Sequence, residues 1–367
     1  MLGCVGMGLP VRNLGGRSCF VNAFMQVLVR LEPFVRLLRT HRHQSDSCVL
    51  CKIRDQIEDM RRVQVIERSS VTLAARAGHF RFGQDFLGDA ATGVGGQCDV
   101  WEFCVAVVEE IERWEKDRKR SCFREEDGTT RAQVESRPIL QEYVWGAMVR
   151  TRNRCANCEG TSDTLMHRQF LELNLVDGTV TLQGLYERWA SEFRGADTVC
   201  PLRCGGLAYT QYFLEREPPV LFFRLLRFRP TADYRSEIRI NRDIAIPEKL
   251  MILRSGVYQF AAAVMHHGDS TRSGHYTTLC WEGSRDGEER YRWYSDAEVS
   301  TAMTWGQVQR GRFYDGSSIG RGAYILCYVR VGFWGDAVGD GSECAPYVRD
   351  MHTVGVAKSL FRGRLVA

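Results

Sequence analysis

The chain has 367 residues, 44% hydrophobic and 26% charged, an ordinary globular composition with room for a large core and one or two domains. A net charge of +4, with no basic stripe interleaved with aromatics, argues against a nucleic-acid partner. The sequence shows no signal peptide, 18-residue apolar run or lipidation motif, so the expectation is a protein without membrane insertion that works in the cytoplasm, the nucleus or both.

In chain order, the first strong element is a helix from Cys19 to Leu31. Phe20, Phe24, Val27, Leu28 and Leu31 fall on one face, Ser18 is placed to cap it, and Pro33 follows. Cys19 then lies in the first turn, where the helix dipole favours thiolate over thiol. His41, His43, Cys48 and Cys51 follow as a cluster that could ligate a metal ion. Asp99-x-x-Glu102 precedes Val100, Phe103, Cys104, Val107, Val108 and Ile111, which reads as a capping box on a second apolar-faced helix. The charged run from Arg113 to Arg120, continuing to Gly128, reads as a solvated face and loop.

From about Pro138 the pattern turns to strands. Two knuckles, Cys155-Ala156-Asn157-Cys158 and Cys200-Pro201-Leu202-Arg203-Cys204, can each present two thiolates to one tetrahedral zinc, and a reducing compartment disfavours disulfides among the 14 cysteines. Between them lie Leu171–Leu175 and a helix-like stretch from Leu182 to Phe193. Val220–Phe228, after Pro218-Pro219, reads as a long buried strand. Gly268–Tyr276 carries His275 beside Gly274, which permits close backbone approach, and Tyr276–Trp281 reads as a strand that would fix the histidine ring. The glycine-rich residues after Arg330 carry no functional pattern.

Four ordered stretches resemble the boxes of the ubiquitin-specific proteases. Gly8–Asn22 resembles the cysteine box, Gly96–Phe103 the Gln-Gln-Asp box, and Val264–Tyr276 the histidine box. Trp293–Val299 with Ala323–Arg330 resembles the closing acid box and last strand. The resemblance implies an α+β, papain-like cysteine peptidase at 1–335, with a helical thumb at about 8–137, a zinc-bearing fingers insertion at about 138–245 and a sheet palm at about 246–335. Residues 336–367 form a tail of no assigned role.

The function implied is a deubiquitinating thiol protease acting on ubiquitin and ubiquitinated proteins. It would cleave after the C-terminal glycine of ubiquitin through a Cys19 thioester. The alternatives are a weakly active or inactive ubiquitin-binding relative and a protease for a ubiquitin-like modifier. His275 would serve as general base and then acid. Where the family usually has Asn or Asp, this chain has Ser295 followed by Asp296: Ser295 orienting His275 with Asp296 assisting is the first reading, Asp296 as direct partner the second. The oxyanion asparagine is displaced by one position, with Leu14 in its slot and Asn13 before it. Gly15-Gly16 can absorb the extra residue. Asp99, Glu102, Gly274 and Tyr276 are implied as substrate-binding positions, with Asp99 and Glu102 pairing with arginines of the ubiquitin tail. Cys155, Cys158, Cys200 and Cys204 are the implied structural zinc ligands, with a second zinc at His41, His43, Cys48 and Cys51. No catalytic cofactor is expected.

Overall fold

The computed structural model describes residue 13 and residues 18–39, 48–62, 99–122 and 145–331, apart from 176, 177, 179, 193, 217, 234, 235, 253–255 and 272. Among these residues the fold is α+β. Four helices come first: α1 (Cys19–Leu28), α2 (Glu32–Arg39), α3 (Val49–Arg62) and α4 (Val100–Cys122). The expected apolar face of α4 is buried throughout, Val100 and Cys104 completely. Its charged end is helical to Cys122 rather than a loop, with Glu110 and Arg113 paired one turn apart.

Helix α1 departs from the amphipathic reading. Every residue from Cys19 to Leu28 is buried, including Asn22 and Gln26, because the helix is enclosed rather than lying on a surface. Phe20 and Phe24 meet Phe103 of α4 edge to face, and Phe24 also meets Phe222 of the sheet beneath. The helix ends at Leu28, and Pro33 sits in the first turn of α2, where its missing N–H costs nothing.

A four-stranded antiparallel sheet is built from β1 (Ala147–Cys155), β2 (Thr161–Arg168), β4 (Arg194–Val199) and β5 (Leu207–Arg216), in the order β2-β1-β5-β4. Helix α5 (Leu182–Ser191), capped by Thr181, covers one face, with Trp189 stacked on Tyr212. The larger sheet contains β3 (Leu171–Asn174), β6 (Val220–Leu226), β9 (Lys249–Ile252), β10 (Gly256–Ser270), β11 (Ser273–Arg285), β12 (Glu288–Ser295), β13 (Glu298–Val299) and β14 (Ala323–Arg330). Its order is β13-β12-β11-β10-β14-β6-β3, with β9 also on β10; only β3 and β6 run parallel. A ribbon of β7 (Phe228–Pro230) and β8 (Glu237–Arg239), and two short helices, α6 (Trp305–Arg310) and α7 (Ile319–Gly322), complete the described elements.

Strand β6 is apolar on successive residues because the sheet is covered on both sides. Phe222 faces α1 and Trp145, whereas Phe223 points into the opposite core with Tyr186 and Tyr328. Arg30, just past α1, ties that helix to the sheet. Its guanidinium lies 2.6 Å from Glu282 on β11, packs over the Tyr294 ring and donates to Gln26, while the Tyr294 hydroxyl donates to the same carboxylate. Both charged side chains are about 6% exposed. Glu282→Ala would leave a buried cation unpaired. Chemical denaturation is expected to show a loss of about 3–5 kcal/mol.

Candidate active site

Helix α1 delivers Cys19 against β11. Its thiol accepts from the backbone N–H of Tyr276, the residue after His275, and lies near the Cys19 and Phe20 N–H groups that open the helix. The Thr278 hydroxyl donates to the Ala23 carbonyl at 2.8 Å, pinning helix to strand one turn further along. Cys19 is 1% exposed, and burial pushes its thiol up to about 11 despite those donors, with the Asp296 charge adding to the rise. The helix dipole was expected to favour thiolate. Desolvation outweighs it here, so the resting group is a thiol.

Ser18 occupies the cap position but makes no side-chain cap bond. Its hydroxyl and its N–H both donate to Asn13 Oδ1, at 2.9 and 3.0 Å. Asn13 Nδ2 in turn donates to Asp296 Oδ2 at 3.0 Å, and Asn22 Nδ2 donates to Asp296 Oδ1 at 2.6 Å. Asp296 therefore clamps two amides that flank Cys19. Its backbone, at φ 50°, forms the turn between β12 and β13 closed by the Ser295–Glu298 pair, a conformation that aspartate tolerates better than most residues.

His275 Nε2 is 2.8 Å from Ser295 Oγ and 3.9 Å from Asp296 Oδ2. Desolvation holds the imidazole below its ordinary titration range, against the opposing pull of Asp296 and Glu298. Gly274 takes φ 130°, and a Cβ there would meet the His267 carbonyl oxygen at 2.3 Å. The hairpin that presents His275 therefore closes only over glycine. Tyr276 turns inward: its hydroxyl and that of Tyr324 both donate to Asp99. Asp99 also accepts from the Trp101 N–H at 2.9 Å, consistent with its capping reading. It is 8% exposed and holds Arg224 at 3.8 Å, whereas Glu102 is exposed on the first turn of α4.

The four knuckle cysteines converge, their sulfurs all within 4.8 Å of one another, at 3.5 Å for Cys155–Cys204 and for Cys158–Cys200. A tetrahedral ion with bonds of about 2.3 Å places its sulfurs about 3.8 Å apart, so the cluster is geometrically compatible with a metal. Asn157 N–H and Leu202 N–H donate to Cys155 and Cys200, each knuckle thus stabilising sulfur charge. It is the one such cluster among the described residues. The free thiols of Cys48 and Cys51 are hydrogen-bonded to each other at the start of α3, but His41 and His43 lie outside the described residues, as do Leu14, Gly15 and Gly16.

The chain belongs to the ubiquitin carboxyl-terminal hydrolase family, whose model matches residues 11–328. It is 26% identical over 350 residues to human ubiquitin carboxyl-terminal hydrolase 42, covering 89% of this chain and 23% of that protein. It is 25% identical over 343 residues to ubiquitin carboxyl-terminal hydrolase 15 of Arabidopsis thaliana, covering 86% and 32%. The chain thus spans about a quarter to a third of the length of these relatives. The fold is similar to that in the SAGA DUB module of Ubp8, Sgf11, Sus1 and Sgf73 bound to monoubiquitin, with a TM-score of 0.65, 19% identity, and coverage of 89% of this chain and 70% of that one.

Two site residues escaped the sequence reading. Asn22 sits three positions past Cys19 within the quoted cysteine box, which was its only signal. Tyr314, whose ring centroid lies 4.4 Å from that of His275, belongs to a loop with no periodic pattern.

Proposed function

We propose that the chain is a cysteine-type deubiquitinase hydrolysing peptide or isopeptide bonds after the C-terminal glycine of ubiquitin. The observation that carries the reading is the seating of the Cys19 thiol on the Tyr276 N–H, next to a His275 whose Nε2 is already engaged by Ser295. His275 Nδ1 is then left to take the thiol proton as the sulfur attacks the glycine carbonyl, and to return it to the leaving amine. Water, deprotonated by the same imidazole, resolves the thioester. In this reading Ser295 orients the ring, and the second amide hydrogen of Asn13, with the Cys19 N–H, binds the oxyanion. The exposed Glu102 would, in the same reading, pair with the arginine-bearing tail of ubiquitin. Asp99, spent on two tyrosines and a helix start, would shape the channel from beneath.

The four described helices of the segment at about 8–137 would act as thumb, the small sheet and knuckles within about 138–245 as fingers, and the large sheet, to which β3 and β6 from that same range also belong, as palm. A binding-only relative is disfavoured because it has no chemical need to retain both Cys19 and His275. Turnover of ubiquitin carrying a C-terminal fluorophore tests the proposal. Hydrolysis of a ubiquitin-like modifier's fluorophore alone would redirect the specificity, and hydrolysis of neither would contradict the activity.

Zinc is the ion whose preferences suit four cysteine ligands. Elemental analysis should find one zinc per chain at Cys155, Cys158, Cys200 and Cys204. Cys200→Ser should lower affinity sharply and loosen the knuckles, since binding of structural zinc is on the order of 10 kcal/mol in small sites. Protein purified without chelators and containing no zinc would refute the assignment.

A further inference from the structure

Tyr314 is 60% exposed, a large apolar ring left in solvent, yet it lies against the His275 imidazole at 4.4 Å between centroids and a 40° tilt. The residues on either side of it are anchored. Phe313 is buried against Trp293, and its N–H donates to the Ser317 carbonyl across the turn. Asp315 accepts from the Ser317 N–H at 3.0 Å and lies 2.9 Å from Nδ1 of His267. His267 is itself buried on β10, with its other ring nitrogen 2.9 Å from the Thr277 hydroxyl. Gly316, at φ 76°, lets the turn close directly behind Asp315. A tight turn fastened on both sides thus holds one exposed aromatic in a fixed place, and that place is the face of His275. The ring also lies 5.5 Å between centroids from that of His267, but its own burial is small and its neighbours already secure the loop, so packing alone explains little of an exposed tyrosine there.

We propose that Tyr314 is a positioning residue for the hydrolysis reaction: its ring, held by the Asp315–His267 anchor, fixes the plane of His275 and keeps water from that face of the imidazole. Ser295 restrains one edge of the ring through Nε2, a single contact about which the ring can still swing. Stacking on Tyr314 removes that freedom, so Nδ1 is kept in the one orientation that the proposed proton transfer uses. The charged and titratable groups that bear on His275 are Asp296 and Glu298 from the β12–β13 turn and His267 from β10. Tyr314 acts on this set through packing and desolvation.

The inference rests on His275 being the general base, so the test has one arm that needs activity and one that does not. Tyr314→Ala in the whole 367-residue chain, in which an exposed side chain is shortened, is expected to lower kcat on ubiquitin–fluorophore by roughly three- to tenfold with KM within about twofold. Tyr314→Phe should restore wild-type kcat. Asp315→Ala, which frees the anchor but keeps the ring, should fall between the two.

Desolvation depresses the imidazole, so uncovering one face must raise its titration point. The acidic limb of kcat/KM should therefore move to higher pH in Tyr314→Ala and stay put in Tyr314→Phe. The activity-independent arm follows the His275 ring by NMR of histidine-labelled protein, with the signal assigned by its loss in His275→Ala. The His275 titration should shift upward in Tyr314→Ala alone. A Tyr314→Ala protein with wild-type kcat and an unmoved His275 titration would overturn the proposal, as would equal losses in Tyr314→Ala and Tyr314→Phe. A wild-type protein inactive on ubiquitin would count against the functional reading and leave the titration arm to decide the positioning role.

Discussion

Cys19→Ala is expected to reduce hydrolysis of ubiquitin–fluorophore by about 10⁴-fold or more, with the fold retained. No other described cysteine lies against the histidine-bearing hairpin in the same way: Cys280, on β11, is buried beside the Gln26 carbonyl with its thiol pushed up to about 12. Cys19→Ser keeps the volume and can still accept from the Tyr276 N–H, yet a neutral hydroxyl is a far poorer nucleophile, so it should be nearly as inactive.

The resting state also fixes the pH response. With the Cys19 thiol raised to about 11 and His275 depressed, the free enzyme carries a neutral thiol and a neutral imidazole at physiological pH. Proton transfer is then part of the attack. Activity should persist as pH falls through the ordinary histidine range and drop only once the depressed imidazole is protonated. Retained turnover in Cys19→Ala, measured under conditions that exclude contaminating hydrolases, would place the nucleophile elsewhere.

Asp296→Ala is expected to cost about 10²–10³ in kcat/KM, well beyond the roughly tenfold expected for Ser295→Ala. This reverses the order that the sequence suggested, in which Ser295 mattered most and Asp296 assisted. The reason is geometric. Ser295 makes one neutral hydrogen bond to His275, whereas Asp296 holds both Asn13, the proposed oxyanion donor, and Asn22 of the helix that carries Cys19. Removing the carboxylate frees both amides and also takes a negative charge from the vicinity of the imidazolium. Alanine at φ 50° adds strain, so Asp296→Asn provides the control: it tolerates that backbone but offers one acceptor oxygen, and should fall between alanine and wild type. A silent Asp296→Ala beside an inactive Ser295→Ala would return the decisive role to the hydroxyl.

Local pattern carried much of the fold into view. The apolar face of α4, the doubly buried β6, the helix beginning at Leu182 and the glycine beside His275 all follow from periodicity and from backbone demands within a few residues. The knuckle cysteines were legible for the same reason, since each pair is local and only the meeting of the pairs is not.

What stayed hidden depends on neighbours far along the chain. Asn13 and Asp296 are 283 positions apart, so nothing local says that Ser18 gives up its capping role to fasten Asn13 instead. The enclosure of α1, which buries Asn22 and Gln26 and reverses the expected charge preference of Cys19, comes from the large sheet on one side and α4 on another. Arg30 reads as a surface charge until Glu282 and Tyr294 arrive from two other strands.

The central claim is that Cys19, activated by His275, attacks the carbonyl at the end of ubiquitin. It is tested most directly by incubating the full chain with ubiquitin bearing a thiol-reactive group in place of its last carboxylate, then mapping the adduct by mass spectrometry. One ubiquitin per chain is expected, attached at Cys19, absent in Cys19→Ala and strongly slowed in His275→Ala. Attachment at another cysteine, or none with correctly folded wild-type protein, would contradict it.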